Sequence, residues 1–382
     1  MRIGIDVRVL STSRALSRYT KNITDQLLIK GRDHFFYLFS DSPANLAKIP
    51  AVASGVAGLH YEMIKTPRKM VIRDHFLFYD SLKKLNLDLF FHPDNTEFLR
   101  CLPNSVVTVH DLLPWKMPAE VISREPLMQL RQKLYFSLQS RAFRESSRKI
   151  IAVSENTKKD LVNILGLPPD TIEVIYEGIE ESFRPCADQN LIEETKKKYN
   201  ISGAYLLYIG GFEPYKNVER LLKAFGQTYS HNLKLVLAGK RGSGGVRLKK
   251  IAEELGMGET VLFPGFIEEE DLPKIYAGAV FLIYPSLYEG FGFPPLEAMA
   301  CGTPAIISNS SSLPEAGGDT AIYFDPENIN NMAGALQISL KHYLNNRVEY
   351  EALSRRCLDR ARLFSWPAAG GKTLRLFEQL AK

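Results

Sequence analysis

Glu289 and Glu297 stand with seven residues between them in the segment YPSLYEGFGFPPLEAMACGT, residues 284–303. Carboxylates repel phosphate, but they accept hydrogen bonds from sugar hydroxyls, and each charge-assisted bond contributes about 1.5–3 kcal/mol. Between them Gly290 and Gly292 let the backbone turn sharply and approach a ligand closely, with Phe291, Phe293 and Leu296 completing the corner. Pro294 and Pro295 suit the first turn of a helix and Gly302 suits its end. A helix N-terminus carries unpaired N–H groups and partial positive charge, which favour a phosphate. Hydroxyls on the carboxylates and phosphates at the helix start describe a nucleotide sugar. Taken singly, each acid has a plainer reading: Glu297 gains about 0.3–1 kcal/mol from the helix dipole, and Glu289 is an ordinary loop acid. The whole constellation favours the ligand.

Other residues of the same chemistry fall at the ends of apolar runs. Lys216 follows Gly210 and Gly211 in YIGGFEPYKNVERLLKAF; a lysine there reaches a diphosphate and offsets leaving-group charge. Lys240 and Arg241, after KLVLAG, supply a second positive charge. His110 ends VVTVH and precedes Asp111. A neutral imidazole there donates or accepts at a sugar hydroxyl; the alternative is a core histidine bonded to Asp111. Ser154 opens SENTKKDLVNIL as a helix N-cap, which is compatible with facing a ligand as well. Gly265 and Phe266 follow the run VLF. The chain holds no Asp-x-Asp motif of the kind that bridges a diphosphate through a metal.

These residues need a scaffold that brings strand ends together. Apolar strand-like runs at 2–6, 35–39, 87–91, 106–110, 149–153 and 172–176 alternate with helical patterns, and a second set follows at 205–210, 234–238, 261–263, 280–284 and 305–308. Such alternation implies α/β architecture with parallel sheets, and ligands of open α/β sheets bind beyond the carboxyl ends of the strands. The 382 residues suit two domains. Residues 1–180 form the first, the polar stretch 181–200 a linker and residues 201–362 the second.

Composition narrows the class. Hydrophobic content of 45% and charge of 24% are those of a soluble globular protein. No apolar run approaches the ~18–20 residues of a membrane span, and no signal peptide is read before the first strand, RIGID. Cys101, Cys186, Cys301 and Cys357 are too scattered for a metal site or a disulfide framework, so a reducing cytoplasm is expected. Residues 1–165 carry a net charge of +9 and residues 166–382 one of −4. The basic half suits an acidic partner: an anionic lipid, a lipid-linked diphosphate or nucleic acid. Lys65, Arg68, Lys69 and Arg73 form one basic stretch, and 131–148 is a second, with interleaved aromatics. The second reads either as a solvated amphipathic helix or as a peripheral membrane contact.

EGFGFPPLEAMACGTP resembles the E-x7-E motif of family 4 retaining glycosyltransferases of the GT-B fold, and its phrasing is similar to that of bacterial mannosyltransferases. The resemblance extends over nearly the whole chain and is strongest in the C-terminal half. It implies two Rossmann-like domains with parallel sheets facing across a cleft. It also implies a last helix, 363–382 here, that crosses back to the first domain after the break Phe364-Ser365-Trp366-Pro367. The implied reaction is metal-independent, uses no cofactor, and moves a hexose from a nucleotide sugar to a glycan or lipid-linked glycan at the inner membrane face. GDP-mannose is the favoured donor and a UDP-sugar the other. No nucleic-acid partner is expected.

By the same resemblance His110, Lys216 and Glu289 are catalytic and Glu297 holds the ribose. Backbone groups near Gly265 and Phe266 meet the base, and Ser17, Arg18, Tyr19 and Ser154 lie on the acceptor side. The chain departs from its relatives in two places. Gly211 stands where many carry arginine, and Ala15-Leu16-Ser17-Arg18-Tyr19-Thr20 lacks the glycines of their N-terminal loop. Two further readings fit these residues: a non-catalytic nucleotide- or glycan-binding relative, and a GT-B-fold sugar-nucleotide epimerase.

Overall fold

A computed structural model describes residues 1–11, 14–66, 82–95, 104–116, 137, 139–143, 147–228, 233–240 and 242–381. Arg68, Lys69, Arg73, Cys101, Arg241 and most of the basic stretch 131–148 lie outside the described residues. The chain divides into two compact units. Met1–Gly178 and Ser365–Lys382 form the first, and Ile179–Phe364 forms the second.

The first unit is built on a seven-stranded sheet. Its strands are β1 (Arg2–Asp6), β2 (Phe35–Ser40), β3 (Tyr61–Lys65), β4 (Leu89–His92), β5 (Ser105–Val109), β6 (Ser147–Ala152) and β7 (Ile172–Val174), in the order β3-β2-β1-β4-β5-β6-β7. Every pairing is parallel. Strands β4 and β5 are buried along their whole length, as expected where helices cover both faces of a parallel sheet. Their near-continuous apolar runs made them legible. Strand β3, which the sequence did not reveal, is one of the two edge strands: YEMIK is exposed or half-buried throughout and has no continuous apolar run.

The terminal helix Trp366–Leu380 belongs to this first unit and packs on helix Arg14–Lys30. Ser365 caps it by accepting from the Ala368 N–H at 3.3 Å, and Pro367 sits in its first turn, where a missing N–H costs nothing. The two helices touch closely because Gly370 has no side chain; a Cβ there would stand 2.4 Å from Gln26 Cβ. Trp366 meets Tyr19 edge-on at 5.8 Å, and Phe377 meets Phe91 at 5.1 Å.

The second unit holds six parallel strands, β8 (Ala204–Ile209), β9 (Leu233–Ala238), β10 (Val261–Gly265), β11 (Phe281–Tyr284), β12 (Ala305–Ser308) and β13 (Ile322–Phe324), in the order β10-β9-β8-β11-β12-β13. Strand β13 is again a short edge strand that the sequence did not reveal. The segment 181–200, read as a linker, contains helix Gln189–Lys198, capped by Asp188. This helix folds with the second unit: Lys198 and Tyr199 both reach Asp271, at 2.6 and 2.9 Å.

Candidate functional site

In the second sheet the strand order reverses between β8 and β11. The crevice beyond the carboxyl ends of such a strand pair is the usual ligand site of open α/β sheets. Lys216 and Glu289 come from the two sides of that reversal. Lys216 closes a 3₁₀ turn, Pro214–Lys216, after β8. The turn is held by Asn217, whose left-handed backbone (φ 62°) is tolerated by Asn. The Asn217 side chain donates to the carbonyls of Pro285 and Pro326 at 3.1 and 2.8 Å, so the loop after β8 is tied to the loop after β11. On the other side Ser311 Oγ and Ser312 Oγ donate to the Glu289 carbonyl at 2.6 and 3.0 Å.

Within this frame Lys216 Nζ lies 2.7 Å from Glu289 Oε1, with the two side chains 13% and 15% exposed. The ammonium also donates to Tyr284 Oη at 3.1 Å and stands over the rings of Tyr215 and Tyr284. Burial disfavours its charge. Glu289 outweighs that effect, helped by the phenols of Tyr284, Tyr215 and Tyr208, and holds the ammonium well above the usual lysine range. Tyr284 stacks on Tyr208, 5.9 Å between centroids, which makes a rigid floor under the ion pair.

Three glycines mark neighbouring strand ends. The Gly210 N–H donates to Ala238 O at 3.0 Å and the Gly239 N–H to Gly265 O at 2.9 Å. A Cβ on Gly239 would meet Gly210 O at 2.0 Å, so the backbones approach more closely than any side chain allows. Gly211 is equally crowded, with Glu213 Oε2 2.0 Å from where its Cβ would stand. Here the missing arginine of the relatives coincides with a glutamate folded over the same spot. Lys240 is exposed, and Phe266 is 41% exposed.

The corner after β11 takes the expected form. Gly292, at φ 122°, precedes helix Phe293–Ala300 with no side-chain cap, and Pro294 and Pro295 stand in its first turn. Gly290 and Phe293 are half-buried, while Phe291 and Leu296 pack into the core. Glu297 lies deeper than a first-turn acid: it is 4% exposed and accepts from Tyr276 Oη at 2.8 Å. Sequence reasoning missed Asn217, Tyr276, Tyr284 and the Ser311-Ser312 pair. Of these only Asn217, directly after the singled-out lysine, carried a local signal.

In the first unit His110 follows β5. Its partner is Glu177, not Asp111: Nδ1 lies 2.8 Å from Glu177 Oε1, and Nε2 lies 2.9 Å from the Pro93 carbonyl. Asp111 instead accepts from the Leu113 N–H at 2.9 Å. Burial favours the neutral ring, but the hydrogen bond and charge of Glu177, with smaller contributions from the Pro93 carbonyl and Asp94, raise the His110 pKa above its ordinary value. That direction favours the protonated ring over the neutral imidazole expected from the sequence. Glu177 directly follows the strand read at 172–176, so the rule that found His110 also reaches it.

The N-terminal segment is a correction. Residues 15–20 are not a loop but part of helix Arg14–Lys30. Tyr19 is 1% exposed, with its hydroxyl 3.0 Å from Thr108 Oγ1 and its ring edge-on to His110 at 4.6 Å. It is a core residue that buttresses His110, while Ser17 and Arg18 are half-buried on the same helix. Ser154 is fully buried and caps helix Glu155–Leu165 by accepting from the Thr157 N–H at 3.0 Å.

The family models agree with this architecture. Residues 16–183 match glycosyltransferase family 4 and residues 192–355 match glycosyl transferases group 1. The chain belongs to the family 4 glycosyltransferases of the GT-B fold. It is 29% identical over 296 residues to the O-antigen chain mannosyltransferase B of Escherichia coli, spanning 77% of this chain and 75% of that one. It is 28% identical over 268 residues to the serotype-specific mannosyltransferase WbdA of Escherichia coli, spanning 69% of this chain but only 32% of that longer protein. Among solved structures, Anabaena HepE in complex with UDP and glucose superposes with a TM-score of 0.73 at 15% identity, covering 99% of this chain and 100% of that one. Among the described residues no helix is long and apolar enough to cross a membrane.

Proposed function

We propose that this glycosyltransferase is a retaining hexosyltransferase that takes mannose from GDP-mannose and places it on a hydroxyl of a glycan or lipid-linked glycan. The observation that carries the reading is the Lys216–Glu289 pair at the β8/β11 reversal, 2.7 Å apart beside the uncapped start of helix Phe293–Ala300. When a nucleotide sugar binds, Lys216 turns from Glu289 to the diphosphate and stabilises the charge of the departing nucleotide, with the helix start as second donor. Positive charge at both points suits a metal-independent reaction with no cofactor. Glu289, released from the lysine, accepts from sugar hydroxyls, and Glu297 is assigned to the ribose. The leaving phosphate accepts the acceptor's proton, so attack comes from the face it vacates and the anomeric configuration is kept. The mannosyl choice is supported by the Escherichia coli O-antigen mannosyltransferase. UDP-glucose is the competing donor, as HepE was solved with UDP and glucose. Work at the cytoplasmic membrane face follows from a lipid-linked acceptor and the basic N-terminal half.

The test is turnover with a panel of GDP- and UDP-sugars and candidate lipid-linked glycans, the product anomer being read by NMR. GDP-mannose should be consumed with retention. Lys216→Ala and Glu289→Ala should each lower kcat by about a hundredfold or more, as when a transition-state charge partner is lost. Wild-type rates in both variants would remove the site assignment. Nucleotide binding without turnover would make the chain a binding relative, and a nucleotide sugar altered only in its sugar would make it an epimerase.

A further inference from the structure

Lys216 has to leave Glu289 to meet a diphosphate, and a carboxylate only 15% exposed then loses its counter-charge. Tyr284, the last residue of β11, stands against both groups. Lys216 Nζ donates to Tyr284 Oη at 3.1 Å and to Glu289 Oε1 at 2.7 Å, so the phenol and the carboxylate share one ammonium. The phenol is also hydrogen-bonded to Glu289 itself. A phenolic oxygen accepts and donates at once: it accepts from the lysine, and its own hydrogen serves the carboxylate. Burial, and after it the charge of Glu289, push the phenol above its ordinary pKa against the pull of Lys216, so that hydrogen stays on the oxygen. The hydroxyl is also a fixed point. The Tyr284 ring is 1% exposed and stacks on Tyr208 at 5.9 Å, 16° from parallel. Tyr208 is anchored in turn through its hydroxyl, which donates to the Gly211 carbonyl. Lys216 by contrast hangs on a flexible four-carbon stem. The lysine can swing away while the phenol stays, already set against the carboxylate that is left.

We propose that Tyr284 is a positioning residue for the transferase. Its hydroxyl ties Lys216 to Glu289 before the donor binds, and keeps Glu289 partnered and in place once Lys216 has moved to the diphosphate. Without the hydroxyl that move would leave a half-buried carboxylate with no donor, which penalises the bound state and not the free one. The diphosphate half rests on the transferase reading; the link from hydroxyl to carboxylate does not.

Tyr284→Phe tests this, because it keeps the ring and its stack on Tyr208 and removes only the hydroxyl. Binding of GDP and of UDP to the full chain, read by calorimetry, should weaken about tenfold or more in this variant, as when a hydrogen bond to a charged group is lost. In a Glu289→Ala background the same change should weaken binding by less than about twofold, because no carboxylate is left to hold. Equal losses in the two backgrounds, or an unchanged affinity in the single variant, would overturn the proposal and leave Tyr284 as a floor only. A second measurement needs no nucleotide. In the full chain labelled with ¹³C at tyrosine Cζ, the Tyr284 signal, assigned with Tyr284→Phe, should move upfield in Glu289→Ala as the hydroxyl loses its acceptor. An unmoved signal would overturn the link from hydroxyl to carboxylate. If neither GDP nor UDP binds the wild type, the transferase reading falls and the diphosphate half with it, and the Cζ shift alone decides the link.

Discussion

Glu289→Ala removes the carboxylate 2.7 Å from Lys216 Nζ. The ammonium then keeps Tyr284 Oη at 3.1 Å and the faces of Tyr215 and Tyr284, none of which supplies a full negative charge. Two unit charges at the observed separation attract by about 6 kcal/mol at an effective dielectric of ~20, and desolvation returns most of that. With side chains 13% and 15% exposed, the pair falls between solvent-exposed pairs, at about 0.2–1 kcal/mol, and fully buried ones, whose truncation costs about 3–5 kcal/mol. Each single alanine variant should therefore destabilise the second unit by about 2 kcal/mol, and the double variant by less than the sum, with a coupling of about 1.5 kcal/mol. Both tryptophans, Trp115 and Trp366, lie in the first unit, so fluorescence would miss the effect. Hydrogen exchange read by mass spectrometry on peptides spanning β8 and β11 reports it directly. A coupling below about 0.5 kcal/mol would refute the claim that the two charges hold each other in the donor-free protein, and with it the exchange of partners proposed for donor binding.

Gly178→Ala places a Cβ 2.2 Å from the Trp366 backbone nitrogen and 2.6 Å from the Ser365 carbonyl carbon. Backbone cannot yield as a side chain does, so the first unit should lose about 1–3 kcal/mol, seen as a lower urea midpoint by tryptophan fluorescence; an unchanged midpoint would contradict the close approach. The His110–Glu177 pair predicts a pH dependence of stability. Because the folded pKa of His110 is raised, its contribution is fully present below the unfolded value near pH ~6.5 and is lost as pH rises through the folded value. The stability gap between wild type and His110→Gln should shrink on the alkaline side, and a gap that widened with pH would reverse the sign of the argument.

Strands with continuous apolar runs were legible because a parallel sheet buries both faces: β1 and β12 fall on the expected residues. Strands β3 and β13, each at one edge of its sheet, were not legible: YEMIK is broken by charges and IYF is only three residues long. In the site, Glu289, Gly292 and Lys216 stood out because a strand end, a helix start and a charge coincide within a short window. Tyr19 was placed on the acceptor side by resemblance alone, and the helix from Arg14 turns it inward against Thr108 and His110.

The sequence by itself determined what is local: the α/β alternation, the corner at 289–297, the cap at Ser154, and the residue types suited to phosphate and hydroxyl. These follow from backbone geometry and charge within a few residues of one another. Only the tertiary structure decided the partners. The strand order places the loops after β8 and β11 side by side, and so joins Lys216 to Glu289 across 73 positions of the chain. In the same way it sets Glu177 against His110 across 67. Strand order is a property of how whole layers pack, and no window of sequence contains it.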